Sequence, residues 1–102
     1  MPFVSVTSDN SLLIYGGIDD WYLPVRGGFK IDIKTNKHHV IGPNDLSIKG
    51  QSNGIVMKNG VTIGLATGLY SEKYKEYNDE LCLVAFQPDD GRMSVLKTLK
   101  KD

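Results

Sequence analysis

The sequence predicts an all-β protein built of two four-stranded antiparallel units. Two observations carry this. Apolar runs of strand length alternate along the whole chain with clusters of Gly, Asn, Asp, Ser and Pro, the punctuation of strands and turns. The chain also repeats itself. Val4-Ser-Val-Thr-Ser-Asp-Asn-Ser-Leu-Leu-Ile-Tyr-Gly-Gly17 is echoed by Ile55-Val-Met-Lys-Asn-Gly-Val-Thr-Ile-Gly-Leu-Ala-Thr-Gly68. Each copy reads as strand, polar turn, strand and a stop at glycine. A period of about fifty residues in a β-rich chain indicates stacked or radial repeats. One such unit cannot bury both faces of its own sheet.

The elements follow in order. Phe3 to Thr7 alternates apolar and polar, as a half-buried strand does. Ser8-Asp-Asn-Ser11 is a turn cluster. Leu12 to Tyr15 is apolar at consecutive positions, so both of its faces want cover. Gly16-Gly17 stops it, and Ile18 to Gly28 reads as a loop. Phe29 to Ile33 alternates as a third strand, Lys34 to Lys37 turns, and His38 to Ile41 is a short fourth. Gly42-Pro-Asn-Asp45 breaks the pattern.

Leu46 to Asn53 is a connection with room for an extra strand. Gly54 to Lys58 restarts the cycle. Asn59-Gly60 is the strongest hairpin signal in the chain and predicts a two-residue turn. Both its residues would then be at positive φ, with Lys58 and Val61 as the flanking pair. Val61 to Thr67 is the next strand, closed by Gly68, and Leu69 to Asp79 is the matching loop. Glu80 to Phe86, a turn at Gln87 to Gly91, Arg92 to Leu96 and a frayed tail from Thr98 to Asp102 complete the chain. Gly17 aligns with Gly68 and Leu12 with Ile63 at one spacing. Phe29 aligns with Val84 and Val40 with Val95 at a spacing four residues longer. The extra residues fall in the second post-glycine loop, where insertions are cheapest. The chain is thus one domain, 1–102, with unit one at about 3–42 and unit two at about 54–97.

A four-stranded unit whose second strand ends in Gly-Gly resembles the kelch repeat, the blade of one class of β-propeller. The carriers are Leu12-Leu-Ile-Tyr-Gly-Gly17 and Asp32-Ile-Lys-Thr35 in the first unit. In the second they are Thr67-Gly68 and Asn78-Asp79-Glu-Leu81. The chain lacks the family's fourth-strand tryptophan, and Thr67 stands at its first glycine. The resemblance implies a propeller-like arrangement; a β-sandwich or small barrel is the alternative. It implies no single activity, since most kelch domains are protein-interaction modules and a few oxidise sugars. Two blades do not close a propeller. A start at Met and a charged tail therefore favour a homo-oligomer over a piece of a longer chain. A dimer would make four blades and a trimer six.

Composition excludes several classes. Lys+Arg and Asp+Glu are both 12, so the formal net charge is zero. That argues against a nucleic-acid partner held by a general basic field. Only Arg26 and Arg92 offer a guanidinium, too few for a phosphate-binding cluster. Cys82, the single cysteine, sits in an apolar run and reads as a small buried hydrophobe. No signal peptide and no membrane-length apolar run is visible, so the chain reads as cytoplasmic, or as acting in the host cytoplasm if viral. His38-His39 point to opposite faces of one strand and cannot jointly hold a metal. Gly16-Gly17 and Gly27-Gly28 lack the strand–loop–helix setting of a phosphate loop. No cofactor is called for, and no nucleophile–base pair is visible.

The candidate site is the pair of post-glycine loops, expected on one rim. Loop one offers Asp19, Asp20, Trp21, Tyr22 and Arg26, and loop two offers Tyr70, Tyr74 and Tyr77 among its charges. Trp, Tyr and Arg dominate binding hot spots. The leading expectation is a non-enzymatic binding module for a protein segment or small ligand. The alternative is a self-assembling viral or phage-type protein. It would sequester a nucleotide signal, metabolite or glycan at subunit junctions.

Overall fold

The computed structural model describes residues 2–50 and 54–99. It is all-β, with no helix among the described residues. The first sheet holds β1 (Phe3–Val6), β2 (Ser11–Tyr15), β3 (Gly28–Asp32) and β4 (His38–Ile41) in chain order, all antiparallel. The second holds β5 (Leu46–Gly50), β6 (Ile55–Val56), β7 (Thr62–Ser71), β8 (Glu76–Asn78), β9 (Leu81–Phe86) and β10 (Met93–Leu99), along the path β10-β9-β7-β5. β5 and β6 pair successive stretches of one side of β7; β8 and β9 pair successive stretches of the other. The second unit is therefore also a four-ribbon meander, with two of its ribbons interrupted. The two sheets face each other across one core, which is compatible with a β-sandwich, and among the described residues no barrel closes.

Period-2 alternation decides which residues line that core. On the first sheet the inward rows are Phe3–Tyr15–Gly28–Ile41 and Ser5–Leu13–Lys30–His39. On the second, Ile48, Ala66, Cys82, Val84, Phe86 and Met93 complete the cluster. Phe86 stacks on Phe3 with ring centroids 4.8 Å apart and meets Tyr15 edge-on at 5.3 Å. The buried Tyr15 hydroxyl donates to the Leu46 carbonyl at 2.8 Å and accepts from Asn44 Nδ2 at 3.1 Å, and burial pushes its pKa up. The outward rows of the first sheet are Val4–Ile14–Phe29–Val40 and Val6–Leu12–Ile31–His38.

The sheets also meet edge to edge. Past Tyr15, Gly17 N–H donates to the Ile48 carbonyl at 2.7 Å, so the end of β2 runs against β5. A Cβ on Gly16 would lie 2.2 Å from that carbonyl oxygen. Glycine is needed there for close approach.

Four sequence expectations are corrected. Gly68 does not close a strand: β7 continues to Ser71 and returns through β8, so Leu69 to Asp79 is a hairpin extension rather than a loop. Gly68 sits inside β7 at φ +65°, an irregularity within a strand that a lone glycine also marks. The Asn59-Gly60 turn is a three-residue loop. Met57 and Val61 flank it, Met57 N–H donating to the Val61 carbonyl, and only Gly60 takes positive φ. The turn at Thr7–Ser11 has the same bonds, with Asn10 in the left-handed position. The last strand is Met93–Leu99, with a bulge between Val95 and Lys97, so Thr98 belongs to it. Leu46–Gly50 does form the extra strand, while residues 51–53 and the tail 100–102 lie outside the described residues.

Candidate functional site

Loop one is itself a small hairpin. Beyond Gly17, Ile18 bridges Pro24, Asp19 N–H donates to the Leu23 carbonyl, and Tyr22 N–H donates to the Asp19 carbonyl. The Asp19 carboxylate accepts from the Trp21 and Leu23 amides at 2.8 and 3.0 Å. Those bonds fix a three-residue tip, Asp20-Trp21-Tyr22, with Tyr22 in the left-handed region at φ 62°. Trp21 is 82% exposed and Tyr22 83% exposed. The tip is built by backbone and one carboxylate, and its aromatic rings stand in water.

The second tip closes over Glu72–Lys75, with Lys75 at φ 53°. Its organiser is Asp45, which the sequence marks only as part of a breaker. The Asp45 carbonyl accepts from Glu72 N–H at 3.0 Å. Its carboxylate accepts from the Lys73 amide at 2.6 Å and the Ser71 hydroxyl at 2.9 Å. Those donors, the Lys73 amide first, hold the Asp45 pKa below the usual carboxylate range. Tyr70 Oη donates to Glu72 Oε2 at 2.9 Å, and Lys75 pairs with the other Glu72 oxygen. The ammonium pulls the Glu72 pKa down, and Glu72 in turn raises those of Tyr70 and Lys75. Tyr77 lies 6.4 Å from Tyr70 by ring centroid, beneath the Lys49 ammonium at 5.4 Å; Lys73 sits over Tyr74 at 5.3 Å.

Arg26 stands at the base of both. Its guanidinium donates to the Asn44 carbonyl at 2.9 Å, and its field reaches Asp45, Tyr70 and Glu72. The structure thus brings Arg26, Tyr70 and Tyr77 to one neighbourhood. Tyr74 is exposed on the tip above them. Among the described residues no hydrogen bond, ion pair or ring contact joins Asp19, Asp20, Trp21 or Tyr22 to that neighbourhood. The sequence missed Asp45, Asn44 and Lys49, whose roles depend on the path between the units rather than on any local pattern.

Elsewhere the chemistry is structural. Cys82 is buried, its thiol donating to the Ala66 carbonyl, and burial pushes its pKa up, the opposite of what a nucleophile needs. Asp90 accepts from the Arg92 amide within its turn at 2.8 Å. Among the described residues no group of three or more His, Cys, Asp or Glu is placed to hold a metal, and no helix is long and apolar enough to cross a membrane. Lys30, also missed, points inward with its side chain 8% exposed. It pairs with Asp9 at 2.8 Å and donates to the Pro88 carbonyl of the opposite sheet at 2.5 Å.

No protein-family model, curated protein or solved structure matches the chain. The kelch resemblance therefore rests on the residues quoted for it alone.

Proposed function

We propose that the chain is a non-enzymatic binding module whose anchor is the Asp20-Trp21-Tyr22 tip and whose natural ligand is a segment of another protein. One observation carries the reading: the only tryptophan and a neighbouring tyrosine are held four-fifths exposed on a tip that its own hydrogen bonds define. Exposed rings of this size gain nothing for folding. Trp and Tyr on a pre-ordered turn bind at low entropic cost. Tyr22 also holds a backbone conformation that L-residues avoid. Arg26 and the Tyr70, Tyr74 and Tyr77 group of the second tip offer a separate cation and further aromatic area.

The test uses Trp21 as its own reporter. A random-sequence peptide display library selects binders, and panels of nucleotides and oligosaccharides are screened beside it. A genuine ligand shifts Trp21 emission to the blue. Trp21→Ala and Tyr22→Ala each weaken capture by about 1–3 kcal/mol while melting stays unchanged. Capture that survives both substitutions overturns the reading. So does a selective response to a nucleotide or glycan with no selected peptide.

A further inference from the structure

We infer that the outward face of the β1–β4 sheet is the contact surface for a second copy of this chain, in a two-fold dimer packed sheet to sheet. The inference is independent of the tip reading, since the face uses neither Trp21 nor Tyr22.

The outward rows of that sheet hold only Val, Leu, Ile, Phe and one histidine, His38, across all four strands. Val40 is 75% exposed and Phe29 48%. The apolar surface continues past β1 into a cleft of about 440 Å³ that reaches Val56 of β6. Val4 and Val6 of β1 are also exposed, 38% and 52%, so the uncovered apolar surface runs from one edge strand to the other. A contiguous exposed apolar face marks an interaction surface. The other sheet does not present an equivalent surface: its outer face is broken by Lys97 opposite Leu83.

Charge selects the occupant. No Asp, Glu, Lys or Arg stands at any outward position of the four strands, and the chain's formal net charge is zero. The surface can therefore meet its own copy without like charges colliding, as a two-fold contact requires. A partner recognised by charge finds nothing there to pair with, and a membrane surface finds no cation for its headgroups. Twisted four-stranded faces of this kind stack aligned at about 10 Å separation. The central rows then meet row against row, with Phe29 and Val40 covered by the same residues of the copy.

Sedimentation velocity at micromolar concentration, with melting measured across a concentration series, decides the matter. The wild-type chain is expected at twice 11.3 kDa, with a melting temperature that rises with concentration. Val40→Glu, at an exposed position of an edge strand, places two carboxylates in the contact and should raise the dissociation constant at least tenfold. Val6→Glu, from the other row, should do the same and guards against a local fault at Val40. Lys97→Glu and Trp21→Ala should leave the dimer intact. A wild-type monomer with concentration-independent melting overturns the inference. A dimer that persists in both Val40→Glu and Val6→Glu, each folded by circular dichroism, overturns this choice of face.

Discussion

Tyr22 and Asp9 show how single residues are committed to opposite ends of the molecule. Tyr22 holds φ 62° while its ring stays in water. Tyr22→Gly should therefore leave stability unchanged or raise it by up to about 1 kcal/mol, because glycine occupies the left-handed region without a Cβ penalty. The same substitution should abolish most of the binding the tip provides. Urea titration and peptide capture measured together separate the two effects. Asp9 is different. The Lys30 ammonium, with help from Thr7, lowers its pKa from 3.8 to about 2. A carboxylate depressed in the fold stabilises it at any pH above its unfolded pKa, and that contribution is lost as pH falls toward the folded value. The urea midpoint should fall between about pH 4 and pH 2, and Asp9→Asn should flatten that interval. An unchanged slope in Asp9→Asn would show that the pairing contributes nothing. The partners are far apart in sequence, so nothing local announced this pair.

At the scale of the element, turn chemistry settles what the strand pattern left open. Thr7–Ser11, Asp19–Leu23 and Met57–Val61 are the same three-residue turn, with Asn10, Tyr22 and Gly60 in the left-handed position. Asp32–Lys37 and Gln87–Arg92 share a four-residue turn, with Asn36 and Gly91 there. The first and last hairpins of the two units thus share their turns, while the middle ones differ, three residues at Asp20–Tyr22 against four at Glu72–Lys75. A two-residue turn would demand positive φ at both Asn59 and Gly60, whereas the observed one demands it only at Gly60. Gly60→Val should cost about 1–2 kcal/mol. Asn59→Val should cost less, about 0.5 kcal/mol, since it removes only the exposed bond that the Asn59 side chain accepts from the Val61 amide. Equal losses at the two positions in urea melts would restore the two-residue turn. The strands themselves were legible because alternation and consecutive apolar runs survive in every ribbon. The extension of β7 through Gly68 was not legible. A glycine at positive φ ends one strand at Gly17 and merely bends another at Gly68. The difference lies in what pairs beyond it, which a local pattern does not contain.

For the whole molecule the governing fact is that neither sheet has a core of its own. Phe86 of the second sheet packs on both Phe3 and Tyr15 of the first, and Lys30 of the first sheet bonds the Pro88 carbonyl of the second. The Tyr15 hydroxyl ties the β2 end to Leu46, where the chain crosses between units. This is why the sequence showed two units yet left their arrangement open. Periodicity reports which residues of a strand are apolar, while the choice between radial blades and a two-layer packing depends on which faces meet. The site followed the same rule. Its exposed rings were visible as loop aromatics, but Asp45, which holds the second tip from the connector, was not. Sequence repeats of the solenoid kind have stabilities that add unit by unit; a shared core makes the two units here a single cooperative body. Phe86→Ala should therefore cost about 3–5 kcal/mol, and hydrogen exchange should accelerate in both sheets alike. Separate peptides spanning 1–45 and 46–102 should each lack a cooperative melt. Loss of protection confined to β9 and its neighbours, or a cooperative transition in the 1–45 peptide alone, would show instead that the first unit folds on its own.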